Sequence, residues 1–294
     1  MVWLKKKYFL FGIKASTGTS FTPNKTSQLA IFSETSRPAS IYCLSLKTRI
    51  SELSTRSSAS INFSLNSFNF PGEKTTQAIT DLTQEYVKSV NKQAVLCRKD
   101  VPGFIINRLF IPMVHEACYA QDRTNATLEE IDSAVKFKLG FPMGIFELAD
   151  FTGMDVIHKA TVEMHLRDKK VINPHPTIEK MFDEKKLGQK SGEGYYKYSD
   201  DKYERVALSE ELAEKFNPIQ LVANILNNAA WLITNGASDI SEIEKAAQLG
   251  LGLKKPLFET AKEIGIKNIV DELNRLEKDH GEFYKPDPLL ISMQ

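Results

Sequence analysis

An internal repeat constrains the fold of this chain more than any other sequence feature. Residues 104–182 align with residues 216–294 at a fixed offset of 112, without a gap, and sixteen of the 79 aligned positions are identical. The identities include apolar positions, glycines and prolines together, among them Gly140/Gly252 and Pro176/Pro288. A chance match is the alternative, but turns and apolar positions that recur at one offset predict two copies of a single helical fold.

The apolar spacing within the first copy predicts its helices. A stripe from Ile105 to Cys118 has the period of a long helix, which Pro112 should bend. Thr127 and Glu130 have the spacing of a capping box at the start of the next helix, and Asp239 with Glu242 repeats that cap in the second copy. Because Gln294 aligns with Phe182, we expect the second copy to stop before a counterpart of the segment 185–198.

The residues just before the first copy have a different pattern. Residues 76–90 have the periodicity of an amphipathic helix, and 94–97 form a short apolar strand. The apolar face of that helix is expected to contain Ile79, Leu82, Tyr86, Val87 and Val90. The predicted fold class is therefore mainly α, with two tandem helical domains preceded by a remnant of an α/β domain, and the family resemblance of the blocks that follow implies that this domain is of the Rossmann type. The expected boundaries are 1–72 for an atypical, poorly ordered segment, 73–100 for the remnant, 101–200 for the first helical domain and 201–294 for the second, truncated one.

The first 72 residues differ sharply in composition from the rest. They contain nine basic and two acidic residues with 14 Ser and 7 Thr, whereas the remaining 222 residues carry a net charge of −6. Such a segment is compatible with an organellar transit peptide, a disordered tail or a disrupted gene, and the abrupt change near Gly72 favours the last. The three cysteines lack metal or disulfide spacing, which indicates a reducing compartment, and we expect a cytoplasmic protein. The near-zero net charge and the lack of a long apolar run argue against nucleic-acid and membrane partners.

Several sequence blocks resemble one known family. They are Asp100-Val-Pro-Gly-Phe-Ile-Ile-Asn-Arg-Leu109, Leu128-Glu-Glu-Ile-Asp132, Gly140-Phe-Pro-Met-Gly-Ile-Phe-Glu-Leu-Ala-Asp150 and Gly188-Gln-Lys-Ser-Gly-Glu-Gly-Tyr-Tyr196. In this order and spacing they resemble the C-terminal substrate and dimerisation domain of 3-hydroxyacyl-CoA dehydrogenases. The resemblance runs from about residue 72 to residue 198 and continues more weakly in the second copy. Tandem copies are similar to the arrangement in large multifunctional members, some of which carry an enoyl-CoA hydratase domain.

The resemblance implies an activity and one catalytic residue. The family oxidises 3-hydroxyacyl-CoA to 3-ketoacyl-CoA with NAD in fatty acid metabolism, using a His as base and a Glu that orients it, while a Ser and an Asn bind the substrate oxygens. Only the Asn matches a residue here, Asn107, whose amide can donate a hydrogen bond without a change of charge. The aligned residue of the second copy is Ile219, so that copy is expected to be structural, packing against the first or across a homodimer.

Other features of the family pattern are missing. No G-x-G-x-x-G stands in residues 1–72, and no histidine precedes His115, so cofactor-binding residues for NAD cannot be assigned. The glycines of 188–194 are expected to form a turn, and His115 is expected to be structural. His158, His165 and His175 lack metal-ligand spacing, and Lys136 and Lys138 are expected to be solvated rather than bound to CoA phosphates. The alternative function is a non-catalytic helical module that dimerises or binds acyl-CoA.

Overall fold

A computed structural model describes residues 12–15, 67–71, 75–89, 92–199 and 207–294 of the chain. Its contacts divide the chain between Asp100 and Val101 into two units.

The first unit contains a small parallel sheet and one helix. Strands β1 (Gly12–Ala15), β2 (Ser67–Pro71) and β3 (Ala94–Leu96) pair in that order, and helix α1 (Gln77–Ser89) contacts β2 and β3. The helix expected at 76–90 and the strand expected at 94–97 are therefore confirmed. The two short strands β1 and β2 lie within the segment 1–72, most of which is outside the described residues.

Only part of the apolar face predicted for α1 is buried. Val87 is buried as expected, but Ile79 and Leu82 are 42% and 55% exposed. The side chains of Tyr86 and Val90, which were expected on the same face, lie outside the described residues. Periodicity predicts which apolar residues share one face of the helix. It does not predict how much of that face other parts of the fold cover, because this depends on the tertiary structure.

The second unit is built from helices. The first copy has α2 (Ile106–Thr124), α3 (Leu128–Phe137), α4 (Ile145–Thr152), α5 (Met154–Arg167) and α6 (Pro176–Asp183). The second copy follows the short α7 (Glu210–Ala213) and has α8 (Ile219–Thr234), α9 (Ile240–Ala246), α10 (Leu257–Ile264), α11 (Ile266–His280) and α12 (Pro288–Ser292). The helices α9 to α12 each begin 112 residues after α3 to α6, which confirms the repeat as two copies of one fold.

The helix caps and the proline that the sequence predicted lie at the expected positions of the helices. Thr127 accepts a hydrogen bond from the backbone N–H of Glu130, whose carboxylate accepts one from the N–H of Thr127, which completes the capping box. Asp239 caps α9 in the same place by accepting a bond from Glu242. Pro112 lies inside α2, which continues past it to Thr124. Each cap satisfies N–H groups that a helix cannot satisfy internally.

The two copies pack against each other mainly through their first helices, α2 and α8. Equivalent residues of the two copies make contacts at opposite ends of the α2–α8 pair. Lys138, after α3, reaches the carbonyl of Phe216 before α8, and its counterpart Gly250, after α9, lies against Ile106 at the start of α2. Lys170 also pairs with its own counterpart, Glu282, at 3.8 Å. A residue contacts its own counterpart only near a twofold axis, so an approximate twofold relates the copies. The second copy packs against the first, as expected.

Carboxylates of each copy also hold the start of a later helix. Both oxygens of Asp132 on α3 accept backbone N–H groups at the start of α4, from Phe146 at 2.8 Å and Glu147 at 3.0 Å. In the second copy, both oxygens of Glu244 on α9 accept hydrogen bonds from the backbone N–H groups of Leu257 and Phe258 at the start of α10. Gly144 lies so close to Asp132 that a Cβ at this position would overlap the carboxylate. A negative group at a helix N-terminus accepts hydrogen bonds from the free backbone N–H groups there and interacts favourably with the positive end of the helix dipole.

Candidate functional site

Asn107 lies in the first turn of α2 and is half-buried. Its side-chain amide has no hydrogen-bond partner among the residues that the structure describes. The preceding Ile105 provides no side-chain cap, so the start of α2 carries N–H groups without a capping side chain. This helix end therefore presents an amide group together with the positive end of the helix dipole.

A tight turn positions Asn107. Gly103 and Phe104 both have positive φ, at 75° and 50°, and the N–H of Arg108 donates to the carbonyl of Gly103. A Cβ at Gly103 would lie 2.6 Å from the terminal carbon of Met164 on α5 and 2.8 Å from the backbone nitrogen of Arg108, so only glycine fits. A bulky residue such as Phe104 in the left-handed region stores about 1–3 kcal/mol of strain, and such strain concentrates at functional turns.

The corresponding position in the second copy is built differently. Ile219 is the first residue of α8, and its N–H donates to the side-chain oxygen of Asn217 at 3.1 Å. Pro218 at the N-cap provides no side-chain cap, but one N–H of this helix start is bonded to Asn217, and the aligned side chain is apolar. The two copies share a fold, but only the first presents a polar side chain at this position.

Residues of the second copy flank Asn107 on both sides. The guanidinium carbon of Arg108 lies 3.3 Å from the centre of the Trp231 ring on α8. On the other side, Ile106 lies against Gly250, which belongs to a π-helical turn, Ala247–Leu251, directly after α9. The sequence did not single out either contact, because Trp231 and Gly250 lie more than 100 residues away along the chain.

The first histidine of the chain is buried and engaged. His115 Nδ1 accepts from the backbone N–H of His175, and Nε2 lies 2.9 Å from the hydroxyl of Thr161. Burial, with the nearby His175, lowers the pKa of His115 to about 3. His175 in turn caps α6 through Nδ1, while Nε2 lies 2.9 Å from Asp122. His115 is neutral and structural, as expected.

The glycine-rich segment forms a turn, as expected, and Asp150 holds it. Asp150 accepts bonds from the backbone N–H groups of Tyr195 and Tyr196 and from the Tyr198 hydroxyl, all at 2.8–2.9 Å. A Cβ at Gly188 or Gly194 would overlap Asp150. Gly188 therefore permits a close approach to the backbone of Asp150, and Gly194 a close approach to its carboxylate.

An ion pair within α2 is hydrogen-bonded to residues of the second copy near the end of that helix. Arg123 donates to Glu116 at 2.6 Å, to Gln220 at 3.0 Å and to the Tyr284 hydroxyl at 2.7 Å. The Tyr284 hydroxyl donates to the second oxygen of Glu116 at 2.8 Å. Glu116 is 1% exposed, so both of its oxygens depend on these partners.

Three buried carboxyl groups give the folded protein an unusual pH dependence. Burial raises the pKa of Asp132 to about 7, and it raises those of Asp150 and Glu116 to about 6 against the opposing effect of their hydrogen bonds. The folded state therefore binds more protons than the unfolded state between about pH 4 and pH 7, and these groups make stability fall as pH rises through that window. The lowered pKa of His115 acts in the opposite sense, because only the unfolded state gains that proton as pH falls below about 6.5. Since three carboxyl groups outweigh one imidazole, we expect the urea-unfolding free energy to be higher at pH 5 than at pH 7, with a shallower slope in Asp132→Asn. A stability that increases from pH 5 to pH 7 would contradict this assignment.

The two lysines that were considered as ligands of CoA phosphates contact other residues of the protein. Lys138 contacts Phe216 and Glu214 of the second copy, and Lys136 lies over the Phe137 ring. Among the residues that the structure describes, no three His, Cys, Asp or Glu side chains are grouped as metal ligands, and no helix is long and apolar enough to cross a membrane.

Comparison with known proteins identifies the helical copies. The family model for the C-terminal domain of 3-hydroxyacyl-CoA dehydrogenase matches residues 103–198 and 219–294. Mitochondrial hydroxyacyl-coenzyme A dehydrogenase of Rattus norvegicus is 40% identical over 128 residues, covering 43% of this chain and 39% of the rat protein. The 3-hydroxybutyryl-CoA dehydrogenase of Bradyrhizobium diazoefficiens is 36% identical over 129 residues, covering 43% of each chain. This chain thus spans about two fifths of the length of these relatives.

A solved structure shares the fold. The crystal structure of 3-hydroxybutyryl-CoA dehydrogenase from Escherichia coli superposes with a TM-score of 0.64 at 22% identity, covering 76% of this chain and 66% of that one. At this identity the likeness shows the architecture alone.

Proposed function

Because the chain belongs to the 3-hydroxyacyl-CoA dehydrogenase family through its C-terminal-type domains, we propose that it binds 3-hydroxyacyl-CoA or 3-ketoacyl-CoA at Asn107. The reaction in question is the NAD-dependent oxidation of the former to the latter in fatty acid metabolism. The observation that carries the proposal is the half-buried Asn107 amide, which has no hydrogen-bond partner among the described residues. Its second-copy counterpart, Ile219, has no hydrogen-bonding side chain.

Asn107 is suited to binding an uncharged carbonyl. Its amide N–H can donate to a thioester or keto oxygen, and it stays neutral over the whole physiological pH range. The uncapped start of α2 adds a positive electrostatic potential that favours a developing negative charge on such an oxygen. Asn107 would thus bind and orient the substrate oxygen.

The residues present do not fit a dinucleotide site. Strand β1 is followed by Ser16-Thr-Gly-Thr-Ser20, which has one glycine where a pyrophosphate loop needs three. His115, the first histidine of the chain, holds Thr161 and His175 and stays neutral, so it is not free to act as a base. These residues do not provide the phosphate-binding loop or the base of the reaction, and the chain supplies its substrate-binding part.

The second candidate function, a helical module that binds acyl-CoA or dimerises without redox chemistry, is favoured by the engagement of His115. The formation of NADH from 3-hydroxybutyryl-CoA by the full-length chain separates the two. Turnover above the rate of the Asn107→Ala variant would exclude the non-catalytic module. Binding of acetoacetyl-CoA in calorimetry without turnover would leave the module as the function.

Asn107→Ala is expected to weaken acetoacetyl-CoA binding by about tenfold, the equivalent of one hydrogen bond of about 1.4 kcal/mol. Isothermal titration calorimetry measures this directly. Asn274→Ala on the exposed face of α11 is the matched control and should bind like the unchanged chain. Equal affinities for Asn107→Ala and the control would contradict the assigned role.

We extend the proposal to the partners and location of the protein. A homodimer through the helical domains, a cytoplasmic location and the absence of a nucleic-acid partner follow from the composition and the family resemblance. Light scattering of the purified chain tests the dimer. A measured mass of a single 33.2 kDa chain at micromolar concentration would exclude it.

A further inference from the structure

Two contacts from the second copy reach the turn that carries Asn107, and a third lies nearby in the chain's first copy. Trp231 stacks on Arg108, the residue directly after Asn107, and Gly250 lies against Ile106, the residue directly before it. A third contact joins Gly252 to Pro142 in the loop before α4. The second copy therefore lies against both neighbours of Asn107.

The Arg108 contact orders the turn from the side of α8. Arg108 is 2% exposed, and its guanidinium lies 3.3 Å from the centre of the Trp231 ring. A desolvated guanidinium on an aromatic face is held both by the cation–π attraction and by planar stacking. Because Arg108 follows Asn107 in the same helical turn, fixing its side chain limits how far that turn can move.

The Ile106 contact depends on a feature that is extended in the second copy. There α9 continues as the π-helical turn Ala247–Leu251, whereas α3 ends at Phe137 with a single bond of that spacing, from the Leu139 N–H to the Ala134 carbonyl. A π-helical turn changes the direction of its side chains and is frequent at functional sites. Here it places Gly250 opposite Ile106, where a Cβ would lie 2.7 Å from Ile106 Cδ1.

We propose that the second copy positions the substrate site of the first, with Trp231 and Gly250 fixing the turn in which Asn107 meets the acyl-CoA carbonyl. The substrate part of this inference rests on the proposed function. Trp231 and Gly250 are positioning residues, since both act through the neighbours of Asn107. The second copy is then more than a packing partner, although its own Ile219 position carries no polar group.

Substitution of Trp231 tests the stacking contact in the full-length chain. Trp231→Leu should raise the hydrogen-exchange rates of the Arg108 and Leu109 amides, which donate to Gly103 and Ile105, and weaken acetoacetyl-CoA binding by about tenfold. Trp231→Tyr keeps an aromatic face, as Tyr119 does at the aligned position of α2, and should restore both values. Tyr284→Phe is the control, because it removes hydrogen bonds at the other end of α2 and should leave exchange at Arg108 and Leu109 unchanged.

Substitution of Gly250 tests the π-helical turn without removing a contact. Gly250→Ala should displace Ile106 and weaken acetoacetyl-CoA binding severalfold, about 0.6–1 kcal/mol. Adding Ile106→Val removes the Cδ1 atom that the new methyl group meets, so the double variant should bind more tightly than Gly250→Ala. If Gly250→Ala binds like the unchanged chain and Trp231→Leu does not alter exchange at Arg108 or Leu109, the positioning role is excluded.

The two proposals fail in different ways. If the unchanged chain does not bind acetoacetyl-CoA, the proposed function is wrong, and hydrogen exchange in Trp231→Leu still decides whether the second copy orders this turn. If the chain binds acetoacetyl-CoA and Trp231→Leu, Trp231→Tyr and Tyr284→Phe all bind equally well, the substrate site stands and the positioning inference is wrong.

Discussion

Asp132→Ala is expected to lower the free energy of unfolding by about 3–5 kcal/mol. The carboxylate is fully buried, and its loss removes the acceptor for two N–H groups at the start of α4 and for the Tyr196 hydroxyl at 2.9 Å. Water cannot replace the carboxylate without opening the contact between α3 and α4. Each buried donor left without a partner costs about 1–3 kcal/mol.

The repeat provides the control for this prediction. Glu244→Ala removes the equivalent cap from α10, but Glu244 is half-buried, so water can reach the freed N–H groups. We expect a loss of about 1–2 kcal/mol, as for the loss of an ordinary helix cap. Asp132→Asn keeps one acceptor oxygen and should fall between the two. Urea unfolding followed by circular dichroism measures all three, and equal losses for Asp132→Ala and Glu244→Ala would contradict the role of burial.

Glu116→Ala is expected to cost about 3–5 kcal/mol, because it leaves the Arg123 guanidinium in a half-buried site without its counter-ion. The Tyr284 hydroxyl also loses the acceptor to which it donates. Since Arg123 and Tyr284 belong to different copies, the loss should also loosen the packing of α8 against α2. Faster hydrogen exchange in the second half of α2 would report that loosening.

An exposed ion pair supplies the comparison. Arg275→Ala removes bonds to Glu272 and Asp279 on α11, where the Arg275 side chain is 51% exposed, and should cost less than about 1 kcal/mol. The double variant Glu116→Ala with Tyr284→Phe should cost less than the sum of the single changes, because the two residues share one hydrogen bond. Additive costs would show that the network does not act as a unit.

The helices could be predicted from the sequence because their signals are local. The starts of α3 and α9 are marked by Thr127 and Asp239, caps that act over three residues, and the offset of 112 links them. The family motif around Asn107 is equally local, so the candidate residue could be named before its surroundings were known. The turn at 188–194 followed from its glycines alone.

The partners of these elements were decided by the tertiary structure. In the sequence, Asp132 and Glu116 look like ordinary acidic residues of helices. Their spacing does not show that Asp132 caps a helix fourteen residues further along the chain, or that Glu116 contacts a tyrosine 168 residues away. Trp231 reads as part of an apolar helix, yet it stacks on the neighbour of Asn107. Periodicity and caps arise from interactions within a few residues, so the sequence by itself determined where helices form and that they form twice. Which buried charges and rings meet depends on how α2 and α8 cross, a long-range arrangement that only the folded chain establishes.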